Sequence, residues 1–221
     1  MIFAPKIIKR MKFLLLGFIF VSVLSYGQDS KAETVLKSMS TKIEDMTAFY
    51  IEFSASVKNT ENGTNFSETG KGWVKGQKFY ASYGENTIIS NGTKTWTIIK
   101  DEKTTYVTDA DDDESENMNP KKLMTLWKTG FKNKYEKEST LNDVAVHVVN
   151  LYPNESKDTD YHTIVLYITK SSSELKKAVM KANDGTVMTY TVTKFTSNPT
   201  VEDTKFVYDS KKYPGYELVN D

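Results

Sequence analysis

The sequence predicts one mainly antiparallel β domain introduced by an amphipathic helix, and three observations predict it. Turn signals recur at short intervals: Asn62-Gly63, Gly76, Gly84, Asn91-Gly92, Asp101-Glu102-Lys103, Leu141-Asn142-Asp143, Pro153-Asn154 and Asn183-Asp184-Gly185. The runs between them are rich in Val, Ile, Thr, Tyr and Phe, residues that suit a pleated, half-buried surface. Only one long segment, Lys31 to Met46, carries a helical period. Strands that follow one another without βαβ alternation pair antiparallel. A sheet of that size curls, because twist accumulates and free edges are hazardous. No repeat or linker divides the chain, and the 194 residues after Gly27 suit a single all-β unit.

Residues 1–27 read as an export signal. Lys6, Lys9, Arg10 and Lys12 form a basic start, and Phe13 to Leu24 an apolar stretch of 12 residues. Ser25-Tyr26-Gly27 then places small residues for cleavage before Gln28. The apolar stretch is too short for a bilayer core of ~30 Å, which needs roughly 20 residues. The expected organisation is therefore a signal peptide over 1–27 and one domain over 28–221.

In Lys31 to Met46, the residues Ala32, Val35, Leu36, Met39, Ile43 and Met46 fall on one stripe. Asp29 or Ser30 can cap its start, and Glu33 stands in the first turn, where the helix dipole favours an acid. The period then changes to two: Phe49, Ile51, Phe53, Ala55 and Val57 alternate with polar or aromatic neighbours, as in a strand with one apolar face. Residues 70–98 hold three strand-like runs broken at Gly76-Gln77, Gly84-Glu85-Asn86 and Asn91-Gly92. Asn-Gly is a strong hairpin signal, because both central residues of a type I′ turn need φ > 0. Thr93–Ile99, Val144–Tyr152, Tyr161–Thr169, Leu175–Ala182 and Thr186–Phe195 read as further strands.

Asp109, Asp111, Asp112, Asp113, Glu114 and Glu116 interrupt this pattern. Their spacing lacks the loop glycine and late glutamate of a calcium-binding EF-hand, so a solvated loop accounts for them. Asn119-Pro120 follows as a helix start, and Leu123, Met124, Leu126 and Trp127 form a short apolar helix before Gly130. About two turns are not stable alone. This helix is either an ordinary cover for the sheet or a lid over a cavity.

Composition excludes several function classes. The chain has no cysteine, hence no disulfide and no lipid-bearing thiol after the signal. Without residues 1–27 it has 25 basic and 29 acidic side chains, which argues against nucleic acid as a partner. No Gly-x-Ser-x-Gly elbow, His-Glu-x-x-His or phosphate-cradling glycine loop is present. The two histidines, His147 and His162, sit in strand-like runs and read as hydrogen-bonded strand residues. A non-enzymatic protein is expected, with no cofactor and no metal. Asn62, Asn91 and Asn154 stand in glycosylation sequons, but the turn role of asparagine explains each of them.

The stretches Gly72-Trp73-Val74-Lys75, Lys78-Phe79-Tyr80 and Ile88-Ile89-Ser90-Asn91-Gly92-Thr93-Lys94-Thr95-Trp96 resemble the periplasmic outer-membrane lipoprotein carriers, the LolA-like family. The end of the chain, from Lys205-Phe206-Val207-Tyr208 to Tyr213-Pro214-Gly215-Tyr216-Glu217-Leu218, is similar to that family's closing strand. The resemblance implies an unclosed, half-open antiparallel β-barrel of about eleven strands with a helical lid. It also implies a periplasmic, monomeric carrier that binds the acyl chains of lipoproteins in an apolar cavity and shuttles them from inner to outer membrane. The implied partners are acylated lipoproteins and an inner-membrane ABC-type exporter, with the outer-membrane acceptor unknown. An aqueous crossing needs such a carrier: at about 0.8 kcal/mol per methylene, a sixteen-carbon chain resists release into water by roughly 12 kcal/mol.

Candidate residues for the acyl-facing surface and lid are Phe49, Ile51, Phe53, Trp73, Tyr80, Trp96, Leu123, Leu126 and Trp127. Plain core packing is the alternative for each, since a one-residue change of strand phase exchanges the faces. At family level a lipid-binding or envelope-sensing module, or a filled structural barrel, stays open. In the family an arginine after the Trp-x-Lys stretch holds the lid shut. Here Gly76 occupies that place, and Lys75 or Lys78 would have to substitute without an arginine's fork.

Overall fold

One carboxylate, that of Asp29, both starts the helix and ties it to the sheet. The structure, a computed structural model, describes residues 29–110, 125–155 and 159–220. The expected signal peptide, the acidic residues after Asp109 and the segment from Pro120 to Met124 lie outside the described residues. Asp29 Oδ1 accepts from the backbone N–H groups of Lys31 and Ala32 at 3.0 and 3.1 Å, capping helix α1 (Ser30–Glu44). Its Oδ2 accepts from the Tyr135 N–H at 2.9 Å. These bonds, the one from Tyr135 foremost, hold its carboxyl below the usual carboxylate range.

The strands are β1 (Ala48–Lys58), β2 (Asn65–Lys75), β3 (Lys78–Tyr83), β4 (Asn86–Ser90), β5 (Lys94–Ile99) and β6 (Thr104–Asp109). They continue as β7 (Phe131–Leu141), β8 (Val144–Pro153), β9 (Tyr161–Thr169), β10 (Leu175–Ala182), β11 (Val187–Ser197) and β12 (Glu217–Asn220). All twelve form one sheet in the order β12-β6-β5-β4-β3-β2-β1-β11-β10-β9-β8-β7. Neighbours pair antiparallel, except β12, which returns parallel to β6. Two hairpin meanders, β1–β6 and β7–β11, are joined where β1 pairs β11. Because β7 and β12 end the order without pairing each other, the sheet is not closed.

The expectation of an unclosed antiparallel sheet with one helix at its start therefore holds, with one correction of count. The described sheet has twelve strands rather than about eleven. Of the expected lid helix, the described part is a single 3-10 turn, Leu126–Lys128, which sits against α1. The Trp127 indole donates to Ser40 Oγ, and Lys128 pairs with Glu44, both partners belonging to α1.

The stripe on α1 covers one face of the sheet, here termed the helix face. Its first half, Ala32, Val35, Leu36 and Met39, packs on Phe131, Val149, Leu151, Leu166 and Ile168 of β7–β9. Its last turn, with Ile43, packs together with Met46 on Phe49, Ile51, Val74, Phe79 and Ile88 of β1–β4. One helix thus bridges both meanders. Asp29→Ala removes the cap and the tie to β7, and is expected to cost about 1–2 kcal/mol in a denaturant titration. Since the folded carboxyl titrates below its unfolded value, that contribution is present above the unfolded value near pH 4 and is lost as pH falls through the folded one. The gap between wild type and variant should narrow accordingly in acid.

The opposite face is covered by the C-terminal segment. A row of directly paired residues, Tyr50, Trp73, Tyr80, Ile89, Trp96 and Val107, runs across β1 to β6 on that face. Lys205 places its Nζ 4.1 Å from the Trp73 ring centre and 4.0 Å from that of Tyr80. Tyr208 stacks on Trp96 at 5.7 Å, and Tyr213 stacks in turn on Tyr208. Phe206, within this segment, is fully buried. Asn198 turns the chain at φ 47°, its side-chain oxygen accepting from the backbone N–H groups of Thr47 and Ala48.

Candidate functional site

Directly paired residues of antiparallel strands point to the same face, so the register fixes what each candidate can line. Phe49 is 1 % exposed and Ile51 8 %, both beneath Ile43 and Met46. They are core. Phe53, further along β1, is half-buried, and its ring lies flat on the backbone of Gly70. A Cβ on Gly70 would stand 2.3 Å from the Phe53 ring, so only glycine admits that ring position.

Trp73, Tyr80 and Trp96 lie on the opposite face from these three, under the C-terminal segment. The expectation that all six line one surface is corrected: consecutive residues such as Trp73-Val74 and Phe79-Tyr80 are apolar on both sides, and Trp73 and Tyr80 are the members that face away from α1. Tyr50 shares that row, and burial together with its hydrogen bond to Glu52 pushes its phenol up to about 12. Leu123 lies outside the described residues, and Leu126 opens the 3-10 turn. Trp127 packs against the core beneath α1.

Lys75 and Lys78 also serve the opposite face. Both pair with Asp203, at 2.8 and 3.0 Å, and Lys75 donates to the Val201 carbonyl at 3.2 Å. They clamp the C-terminal segment. Gly76 forms the β2–β3 turn at φ +62°.

Beyond the end of α1 the helix face is only partly covered. Two rows cross it there. One joins Ala55, Tyr190 and Ala178; the next joins Val57, Met188, Met180 and Ile164. With Phe53 and Val192 these form an apolar strip, every member of which is half-buried except Tyr190, 44 % exposed. It continues the buried floor under α1 without a break, since Phe53 follows Ile51 on β1 and Ala178 and Ile164 touch the β7–β9 core. The alternation of β1 made Ala55 and Val57 legible as apolar-face residues. The methionines carry no comparable sequence signal, and flexible thioethers fill irregular apolar surface.

The two histidines each have a hydroxyl partner. The Tyr135 hydroxyl and His147 Nδ1 are 2.9 Å apart, and burial, with Lys170 and Lys31 adding to it, lowers the imidazole from its ordinary value. His162 Nδ1 lies 2.8 Å from the Thr163 hydroxyl. Among the described residues no three metal-ligating side chains come together, and no helix is long and apolar enough to cross a membrane.

A family model described as outer membrane lipoprotein carrier protein LolA matches residues 29–186. Among solved structures, an uncharacterized conserved protein from Thermus thermophilus is similar over 86 % of this chain and 99 % of its own, at 11 % identity and a TM-score of 0.59. A LolA superfamily protein from Nitrosomonas europaea is 10 % identical over 80 % of this chain and 97 % of its own, with a TM-score of 0.42. The MucA/MucB complex of Pseudomonas aeruginosa is 11 % identical over 82 % of this chain and 62 % of that one, with a TM-score of 0.43. At such identities the likeness is one of fold. No curated protein matches the sequence at a significant level.

Proposed function

Because this chain belongs to the outer membrane lipoprotein carrier protein family, we propose that it is a periplasmic, non-enzymatic carrier that holds lipoprotein acyl chains on the helix face of its sheet. The observation that carries this reading is the half-buried strip of Phe53, Ala55, Val57, Met180, Met188 and Ile164, which extends the core outward with no described element over it. An acyl chain lying on that strip exchanges one apolar environment for another. The roughly 12 kcal/mol that opposes release into water is then largely avoided. No cofactor enters such a transfer, and the work of extraction belongs to an inner-membrane ABC-type exporter, with an outer-membrane acceptor receiving the cargo. The opposite face, already covered by the protein's own C-terminal segment, is scaffold in this scheme.

Purified protein is expected to bind a fluorescent fatty-acid probe with micromolar or tighter affinity and to release it to a synthetic lipopeptide. A flat titration with folded protein would refute acyl carriage. Native mass spectrometry of protein taken from its own cell envelope separates the remaining possibilities: bound acylated protein supports the carrier, whereas bound free lipid points to a lipid-binding module without a lipoprotein client.

A further inference from the structure

One carboxylate stands beside the apolar strip without a cation. Glu68 on β2 pairs across to Ala55, which pairs across to Tyr190, so glutamate and tyrosine flank a residue too small to fill the space between them. Tyr83 on β3 pairs with Gly70, two residues along the same face from Glu68, and packs on the core beside Phe53. Glu68 is half-buried, and among the described residues no lysine or arginine lies within ion-pair distance of it. Its carboxylate rests against Gly84, where a Cβ would come within 2.8 Å of the oxygen, so the β3–β4 turn leaves room for that side chain by having none of its own. Burial raises the Tyr83 phenol, with Glu68 and Tyr190 adding to the effect, which places the three groups within electrostatic reach of one another.

In the empty protein water offsets the Glu68 charge, and apolar cover laid over it takes that water away, so a ligand that covers it is favoured when it brings a cation of its own. Glu68 stands one strand from the strip proposed to hold the acyl chain, directly across from Ala55. A carboxylate, two phenol oxygens and two aromatic rings make a site for a small cation: the acid supplies charge, the phenols accept hydrogen bonds, and the rings attract a cation over their faces. We propose that Glu68, Tyr83 and Tyr190 bind a primary ammonium at the head of the acylated ligand, so that the preferred cargo is a lipopeptide whose terminal amine is free rather than acylated. This inference rests on the acyl-carrier reading and adds the chemistry of the ligand's polar end.

The test compares two synthetic lipopeptides with the same two palmitoyl chains, one with a free α-amino group and one N-acetylated, as competitors of the fluorescent fatty-acid probe. Wild-type protein is expected to bind the free amine about tenfold more tightly, the scale of one charge-assisted hydrogen bond. Glu68→Gln, which keeps the shape of the side chain, should erase that ratio while leaving affinity for the N-acetylated form and the melting temperature unchanged. Tyr190→Phe should reduce the ratio in part. Equal binding of the two lipopeptides by wild type, or an undiminished ratio in Glu68→Gln, overturns the ammonium site and leaves acyl carriage standing. Binding of neither lipopeptide overturns both.

Discussion

Met188→Asp is expected to weaken acyl-probe binding by about a hundredfold or more while leaving the fold intact. Met188 lies directly opposite Val57 on one side and Met180 on the other, in the middle of the strip, and it is half-buried. In the empty protein an aspartate there reaches water, so the change in stability should stay within about 1 kcal/mol, as at other partly exposed positions. Once an acyl chain covers the strip, the same carboxylate is sealed against hydrocarbon without a partner, at a cost of several kcal/mol. Met180→Asp should repeat the effect from the neighbouring strand. Thermal melts run beside the binding titration separate lost affinity from lost structure, and unchanged binding in both variants would remove the strip from consideration as the acyl site.

Trp127→Ala should show the reverse pattern: a stability loss of about 3 kcal/mol with acyl binding preserved in the molecules that stay folded. Its indole packs beside Ala32, Val35, Leu36 and Met39 against the β7–β9 core and donates to Ser40. Truncating a packed tryptophan costs about 3–5 kcal/mol, and partial exposure places this one at the lower end. A denaturant titration measures the loss. Should the variant retain wild-type stability but bind no probe, the turn at 126–128 would be part of a gate and not of the scaffold.

The contrast between these two variants marks how far the sequence could be read. Periodicity located α1 and gave β1 its inward side, because Phe49, Ile51, Phe53, Ala55 and Val57 alternate with residues that do not compete for burial. It could not do the same for β2 and β3. There Trp73 stands next to Val74 and Phe79 next to Tyr80, so both phases look apolar, and the choice depends on what lies over each face. That cover is α1 on one side and residues 198–216 on the other, and no local pattern announces either. The strand β7, Lys- and Glu-rich along Phe131–Leu141, escaped notice for a related reason: it is an edge strand, and charges that discourage further pairing also mask the alternation. The unpaired Glu68 had no legible meaning before the register placed it across from Ala55 and beside Tyr83.

The seam between β1 and β11 has a kinetic consequence. Each meander is built from neighbours in sequence and can zip up as its hairpins form. The seam instead joins Phe49 to Ser197 and Val57 to Met188, and the Thr47–Asn198 bond beside it closes a separation of 151 residues. Closing so large a loop delays any reward until most of the chain is present, so the seam is expected to form last in refolding kinetics. Until then β1 and β11 are both raw edges, each flanked by apolar surface that α1 can only partly shield. A chain made amino-terminus first exposes the β1 edge from the moment that strand forms, and the window in which it can mispair closes only when β11 arrives.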